Sequence, residues 1–295
     1  MSAFIDENRS DFGVELICKT IGTSASAYYE RATGRPSARA VEDQRLLGVI
    51  RRVHAENYEA YGSRRTWKAL RREGETVGRG RVERLMARNG IVGAKRRGKP
   101  WRTTIAGADP VRAPDLLDRD FTAIRPNAKW CADFTYLRCW QGLVFLSFVI
   151  DCFSRKIVGW QFEVHMRESL VEDALQMAVT TRRIDPQQLL IHHSDHGSQY
   201  TSEDFTAALR GHGIAASLGS VGDAYDNALA ESFVDSFKTE LIADRVWQTR
   251  DQLEFAIARW IGWYNQRRLH SSLGDIPPVE FEALHELPTQ RAQAA

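Results

Sequence analysis

Between positions 121 and 218 the chain sets out an order of apolar runs that few folds can satisfy. Trp130 to Leu137, Leu143 to Asp151 and Lys156 to Phe162 are rich in β-branched and aromatic residues and separated by short turns. They predict an antiparallel meander of three strands. The spacing then predicts a helix over Ser169 to Thr181, a strand over Leu189 to His193, a helix over Thr201 to Gly211 and a last strand over Ile214 to Leu218. Thr201 and Asp204 stand in capping-box spacing at the head of the second helix. A meander that passes into strand and helix alternation calls for an α/β unit around a mixed five-stranded sheet. Ligands of open α/β sheets gather beyond the carboxyl ends of the strands.

Three acids fall where such a sheet would direct them into one pocket. Asp133 interrupts the first strand run, Asp195 follows the run ending at Ser194, and Glu231 lies in the helical stretch Ala224 to Ile242. Singly, each has an ordinary reading: an edge-strand acid, a helix or turn cap, a surface residue. Together, three carboxylates repel one another and titrate upward unless a cation neutralises them. An all-oxygen donor set suits Mg²⁺ or Mn²⁺ better than zinc. Two such ions about 4 Å apart serve in-line displacement at phosphorus. Asp151 competes for the metal, but Asp151 to Arg155 reads as a strand-end turn with a charge partner. His192, His193 and His196 suggest zinc, yet strand alternation sends His192 and His193 to opposite faces. His193 is instead a candidate for positioning DNA or a water at the metal.

The remaining sequence divides by composition. Residues 1–40 read as short helices, with Val14 to Ile21 ended by Gly22 and a following helix capped by Ser24. This is a helix-turn-helix unit or a helical hairpin. Residues 41–97 read as a basic helical unit in which Leu46, Leu47, Ile50 and Val53, then Val82, Leu85 and Met86, recur at helical spacing. Arg81, Arg84 and Arg88 share a separate face, and Arg96 and Arg97 lie in the charge cluster that follows. Such a row tracks phosphates or forms a solvated helix surface. Residues 98–122 read as an extended linker, 123–270 as the mixed α/β core and 271–295 as a tail with a docked turn at Pro277, Pro278 and Phe281. Near the end of the core, Thr249 caps a helix that buries Leu253, Ala256, Ile257, Trp260, Ile261 and Tyr264, and Arg267, Arg268 and His270 follow as DNA contacts or a solvated helix end. Charge is uneven, with 22 Lys and Arg against 12 Asp and Glu in residues 1–105 and 18 against 26 thereafter. A basic amino-terminal third is the footprint of a polyanion partner.

Four scattered cysteines without a Cys-x-x-Cys pair speak against a zinc finger or a disulfide framework. No run approaches membrane-spanning length and the first residues lack an apolar signal core, so a cytoplasmic protein is expected.

Several strings resemble the DDE transposase and integrase core, most closely that of OrfB-type transposases of bacterial insertion sequences. They are Trp130 to Tyr136, Val149 to Trp160, His193 to Tyr200, Tyr225 to Ser232, Phe237 to Leu241 and Trp263 to Leu273. The resemblance implies an RNase H-like core preceded by small all-α helix-turn-helix-like units. It implies Asp133, Asp195 and Glu231 as catalytic residues holding two Mg²⁺ or Mn²⁺ ions for strand cleavage and 3′-hydroxyl transfer. Expected partners are duplex DNA, both the element's terminal inverted repeats and target DNA, a homo-oligomer on that DNA, and an upstream-frame DNA-binding protein or fusion, with nucleoid association and no membrane. Asn227, Glu231 and Lys238 share a helix face, which makes Asn227 and Lys238 candidate DNA contacts. Asp115 and Asp118 depart from the Asn that related sequences tend to carry. A non-catalytic DNA-binding regulator and an RNase H-like nuclease are the alternative functions.

Overall fold

Helical spacing sets the amino-terminal part of the computed structural model, which describes residues 2–34, 36–95, 113–185, 187–219, 227–243 and 245–293. Helices α1 (Ser2–Phe12), α2 (Val14–Thr20) and α3 (Ala25–Ala32) close over Ile5, Val14, Ile17, Cys18 and Tyr28. Ser24 caps α3, its hydroxyl accepting from the Ala27 amide at 3.3 Å. Helices α4 (Ala38–Glu56), α5 (Ser63–Arg72) and α6 (Arg79–Arg88) follow, with Leu46, Ile50, Val53, Leu70, Val82, Leu85 and Met86 buried together. Each fully buried aliphatic side chain there contributes about 1.5–3 kcal/mol of transfer free energy.

The chain forms two units. Met1–Glu56 and Thr66–Val92 make one; Asn57–Arg65 and Gly93–Ala295 make the other. The early segment belongs to the second unit through specific bonds: Trp263 Nε1 donates to Asn57 Oδ1 at 3.0 Å and the Leu269 amide donates to the Tyr61 hydroxyl at 2.8 Å.

Strands β1 (Lys129–Cys139), β2 (Gly142–Asp151), β3 (Ile157–Glu163), β4 (Leu190–Ser194) and β5 (Ile214–Leu218) form one sheet in the order β3-β2-β1-β4-β5. The pairs β1–β2 and β2–β3 are antiparallel, whereas β1–β4 and β4–β5 are parallel. This is the mixed sheet of an RNase H-like fold, as the run order predicts. Helix α7 (Ser169–Arg182) packs on one face, burying Val171, Ala174, Leu175 and Ala178 against Trp130, Ala132, Val149 and Val158. A Cβ on Gly159 would lie 2.1 Å from the Ala174 carbonyl, so only glycine admits the helix this close. Helix α8 (Glu203–Gly211) adds Phe205 and Leu209 to the same core. Its cap is Ser202, which accepts from the Phe205 amide at 3.2 Å, and not the expected Thr201. The helix begins one residue later than the spacing suggests because Thr201 is held in the preceding turn, donating to the Ser198 carbonyl at 3.2 Å.

Helix α9 (Ala228–Phe237) runs into a π-helical turn over Lys238–Ile242, and α10 (Arg250–Gln266) is capped by Thr249. Phe233 meets Phe148 of β2 with ring centroids 4.4 Å apart and also meets Trp260 and Tyr264 of α10. The docked turn expected at Pro278 is instead a helix, α11 (Pro278–Gln293). Glu282 is the reason. Its buried carboxylate accepts from both terminal nitrogens of Arg182 at 2.8 and 2.9 Å, from Lys156 Nζ at 3.0 Å and from Ser154 Oγ at 2.7 Å. Of the expected linker, residues 98–112 lie outside the described residues. Pro114 and Leu116 of that linker bond to β5, the Leu218 amide donating to the Pro114 carbonyl at 3.4 Å and the Leu116 amide to Ser217 Oγ at 2.9 Å. Among the described residues no helix is long and apolar enough to cross a membrane.

Candidate active site

Strand register brings the first two acids side by side. β1 pairs with β4 in parallel, Trp130 opposite His192 and Cys131 opposite His193. Asp133 lies two residues further along β1 and Asp195 just past the end of β4, close enough for the charge of Asp195 to act on Asp133. Alternation then decides the face. Trp130 and Ala132 pack on the α7 side, and His192 joins them there against Tyr200 and Phe205. Cys131 and His193 turn the other way, toward Phe121 and Leu229. Asp133 and Asp195 share that second parity, on the side where α9 carries Glu231. The expectation that His192 and His193 part to opposite faces is met, and no zinc pair forms from them.

Helix α9 is pinned to β1 at its head. Asn227 Nδ2 donates to the Ala132 carbonyl at 3.1 Å, next to Asp133 in sequence, and Glu231 follows one helical turn later. Asn227 is buried, so it acts as an anchor and not as the DNA contact the shared helix face suggests.

The electrostatics of the three acids are those of a crowded anionic site. Asp133 titrates well above the ordinary carboxylate range, first through desolvation and then through Asp195, with Glu231 adding to the rise. Its Oδ1 accepts from the Phe134 amide at 2.7 Å, which opposes the shift along with the charge of Lys238. Asp195 is also raised by desolvation, against the Gly197 amide that donates to its Oδ1 at 3.1 Å and the charges of His196 and His193. Desolvation raises Glu231 as well, although its side chain is exposed. The three do not draw into a tight cage. Among the described residues, the acids whose ligand atoms all lie within 4.8 Å of one another are Glu168, Glu172 and Asp204, at the heads of α7 and α8. An open set of desolvated oxygen donors, with Asp133 raised by the other two, fits hard divalent cations, whose charge would offset the desolvation and repulsion.

Lys238 opens the π-helical turn after α9 and lies near Asp133. Its ammonium lies 5.0 Å from the centroid of the Tyr136 ring, and its pKa is lowered by desolvation while Asp133 pulls it up. Tyr136 escaped the sequence reading; the signal is an aromatic that stands exposed on the strand carrying Asp133.

Other candidate DNA contacts are placed differently. His193 is fully buried, its Nδ1 2.9 Å from Ser217 Oγ, and braces the end of β4 behind Asp195. Arg268 is buried too, held by Glu240 through bonds of 2.5 to 3.1 Å, so it is a core ion pair and not a surface contact. His270 beside it is likewise buried. Arg267 is exposed. Arg81 and Arg84 both bind Asp43 of α4, at 2.7 and 3.2 Å, which spends part of their charge within the helical unit. Arg88 stays exposed at the end of α6. Arg96 and Arg97 lie outside the described residues. Asp151 is a structural acid, as expected: it accepts from the amides of Asn127, Phe153 and Ser154 at 2.7 to 3.1 Å and lies 3.5 Å from Arg182.

Comparison with known proteins gives this geometry a context. Residues 123–224 and 212–278 each match the Integrase core domain family, and residues 41–99 match an HTH-like domain. A Mycobacterium tuberculosis protein named for the insertion sequence element IS986/IS6110 is 44% identical over 91% of this chain and 98% of its own length. The transposase for insertion sequence element IS629 of Shigella sonnei is 43% identical over 96% of this chain and 95% of its own. Transposase InsF for insertion sequence IS3A of Escherichia coli is 34% identical, covering 95% and 97%. Among solved structures, the catalytic core domain of BIV integrase aligns with a TM-score of 0.42 and 18% identity, over 56% of this chain and 99% of that one.

Proposed function

Because the chain belongs to the insertion-sequence transposases built on an integrase core domain, we propose that it cuts and joins DNA at Asp133, Asp195 and Glu231. What supports this reading is that the charges of Asp195 and Glu231 both reach Asp133 and raise its carboxyl. In this reading the three carboxylates hold two Mg²⁺ or Mn²⁺ ions. When bound, such ions supply the charge that activates an attacking water or 3′-hydroxyl and stabilises the departing oxygen of the phosphodiester.

The chain's own residues do the rest. The acids supply hard oxygen donors on two strands and one helix, elements rigid enough to keep their spacing. Asn227 fixes the helix that carries Glu231 by its bond to the Ala132 carbonyl. Lys238, half-buried beside Asp133, is placed to hold a backbone phosphate of the strand being cut. The HTH-like domain supplies duplex binding, with Arg88 among its exposed cations, and the substrates are the element's terminal repeats and a target duplex brought together by a homo-oligomer. No covalent protein intermediate is required.

The test is nicking and joining of element-end duplexes with Mg²⁺. Asp133→Asn, Asp195→Asn and Glu231→Gln are each expected to abolish both steps while duplex binding persists. Substantial Mg²⁺-dependent joining by any of the three removes that residue from the site.

A further inference from the structure

Beside α9 lies a cavity of about 420 Å³ that the catalytic reading does not use. Its lining includes Arg65, Arg155, Arg268, Ser232, Ser236 and Tyr264. Ser232 and Ser236 are four residues apart and so share one side of α9, and Ser232 directly follows Glu231.

The charges around this cavity do not balance. Arg268 is matched by Glu240, and Arg65 reaches the same carboxylate only at 4.0 Å. Arg155 has no ion pair or side-chain hydrogen bond among the described residues. Glu240 and Asp275 are the carboxylates whose charges act on Arg65, so three guanidinium groups, two of them partly withdrawn from water, outnumber the acids beside them. The strain is visible in neighbouring groups. Arg65 is pushed down by desolvation and then by Arg268, and His270 is pushed down to about 2 by burial and then by Arg268, Arg65 and Arg155. An uncompensated cluster of desolvated cations is costly unless an anion occupies it.

Backbone conformation supplies an independent sign. Arg155 closes the turn that Asp151 caps, and its φ is +63°, in the left-handed region that glycine enters freely and other residues enter at a cost. Strain kept at one residue points to a demand on its side chain. A guanidinium is held there although glycine would suit the turn better.

We propose that this cavity is a subsite for one phosphodiester group of bound DNA, with Arg155 and Arg65 as its cations and Ser236 as a hydroxyl donor. The proposal rests on the DNA cutting and joining reading above. Guanidinium groups match phosphate oxygens in forked, charge-assisted bonds. The volume exceeds what a lone phosphate fills and leaves room for the adjoining sugars. Since the subsite flanks the helix that carries Glu231, a strand anchored in it is one that also reaches the acids.

The test is the affinity of the full chain for a short duplex, read by fluorescence anisotropy over a salt series in EDTA, so that no cleavage intervenes. Arg155→Gly is expected to reduce the slope of log affinity against log salt by about 0.9, one phosphate's worth. Its melting temperature is expected to hold or rise, because glycine suits that φ. Arg155→Lys is expected to keep the parent slope. An unchanged slope in Arg155→Gly overturns the subsite. In a second arm, inorganic phosphate is compared with chloride at equal ionic strength by thermal melting. Stabilisation that Arg155→Gly loses, with no change in the duplex slope, assigns the cavity to a free anion and overturns the phosphodiester. The slope change is independent of chemistry. Finding it in a chain that neither nicks nor joins supports the subsite and removes the catalytic reading, whereas an active chain with no slope change does the reverse.

Discussion

At His192 the fold encloses an imidazole whose two nitrogens meet no hydrogen-bond partner among the described residues, with the rings of Phe205 and Tyr200 at 5.4 and 6.3 Å. Burial, and then the charge of His193, holds its pKa down at about 3. In the unfolded chain the group titrates at about 6.5. The neutral folded ring therefore contributes stability in full above about pH 6.5, and loses it as pH falls toward the folded value. Thermal melts of His192→Leu should show a flatter acid limb than the parent, the two curves diverging as pH drops from 6.5 to 4. Parallel curves would mean that His192 is not the group that acid must charge. Lys238 poses a different question, since the contact that holds it at Tyr136 is worth only about 0.5–1 kcal/mol at a partly exposed site. Lys238→Ala should leave the melting temperature nearly unchanged but reduce joining, and Lys238→Arg should retain part of it. Joining rates equal to the parent's at physiological salt would reduce the lysine to a cover for the Tyr136 ring.

Elements show where local pattern ends and long-range partnership begins. Strands β1 to β5 and the buried faces of α4, α6 and α10 follow from periodicity, because an apolar side chain carries its burial in its own chemistry. The parting of His192 and His193 was legible for a related reason: strand alternation sends successive side chains to opposite faces. Arg268 was not legible. Paired with Arg267 just past a helix end, it has the look of a solvated terminus, and only Glu240, on a π-helical turn 28 residues earlier, takes it inside. The same holds for α11, whose docking depends on Glu282 meeting Arg182 at a separation of 100 residues. Charge pairing of this kind leaves no period in a sequence. It does leave a measurable asymmetry. Arg268→Met alone strands a buried carboxylate and should destabilise by about 3–5 kcal/mol in denaturant melts, while Arg268→Met with Glu240→Leu should recover most of the loss. Similar costs for the single and double variants would show that packing, and not the stranded charge, is what the arginine supplies.

For the molecule as a whole, the basic residues and the acidic residues separate along the chain, but the two units do not separate at one point. Dividing the chain near position 105 would preserve the charge contrast and yet remove Asn57–Arg65 from the unit to which they belong. A fragment of residues 120–295 should therefore melt lower and less cooperatively than the catalytic unit of the intact chain. Trp263 Nε1 would lose Asn57, and the Leu269 amide would lose the Tyr61 hydroxyl. Each buried donor left unsatisfied costs about 1–3 kcal/mol. Adding residues 57–65 as a separate peptide should restore part of the melting temperature, and no effect of the peptide would argue that the segment is dispensable. The bonds that tie this segment in span 206 and 208 positions. On a ribosome, the early segment must wait for Trp263 and Leu269 to be made before it finds its place, so the unit that carries the three acids closes more than 200 residues after that segment has emerged.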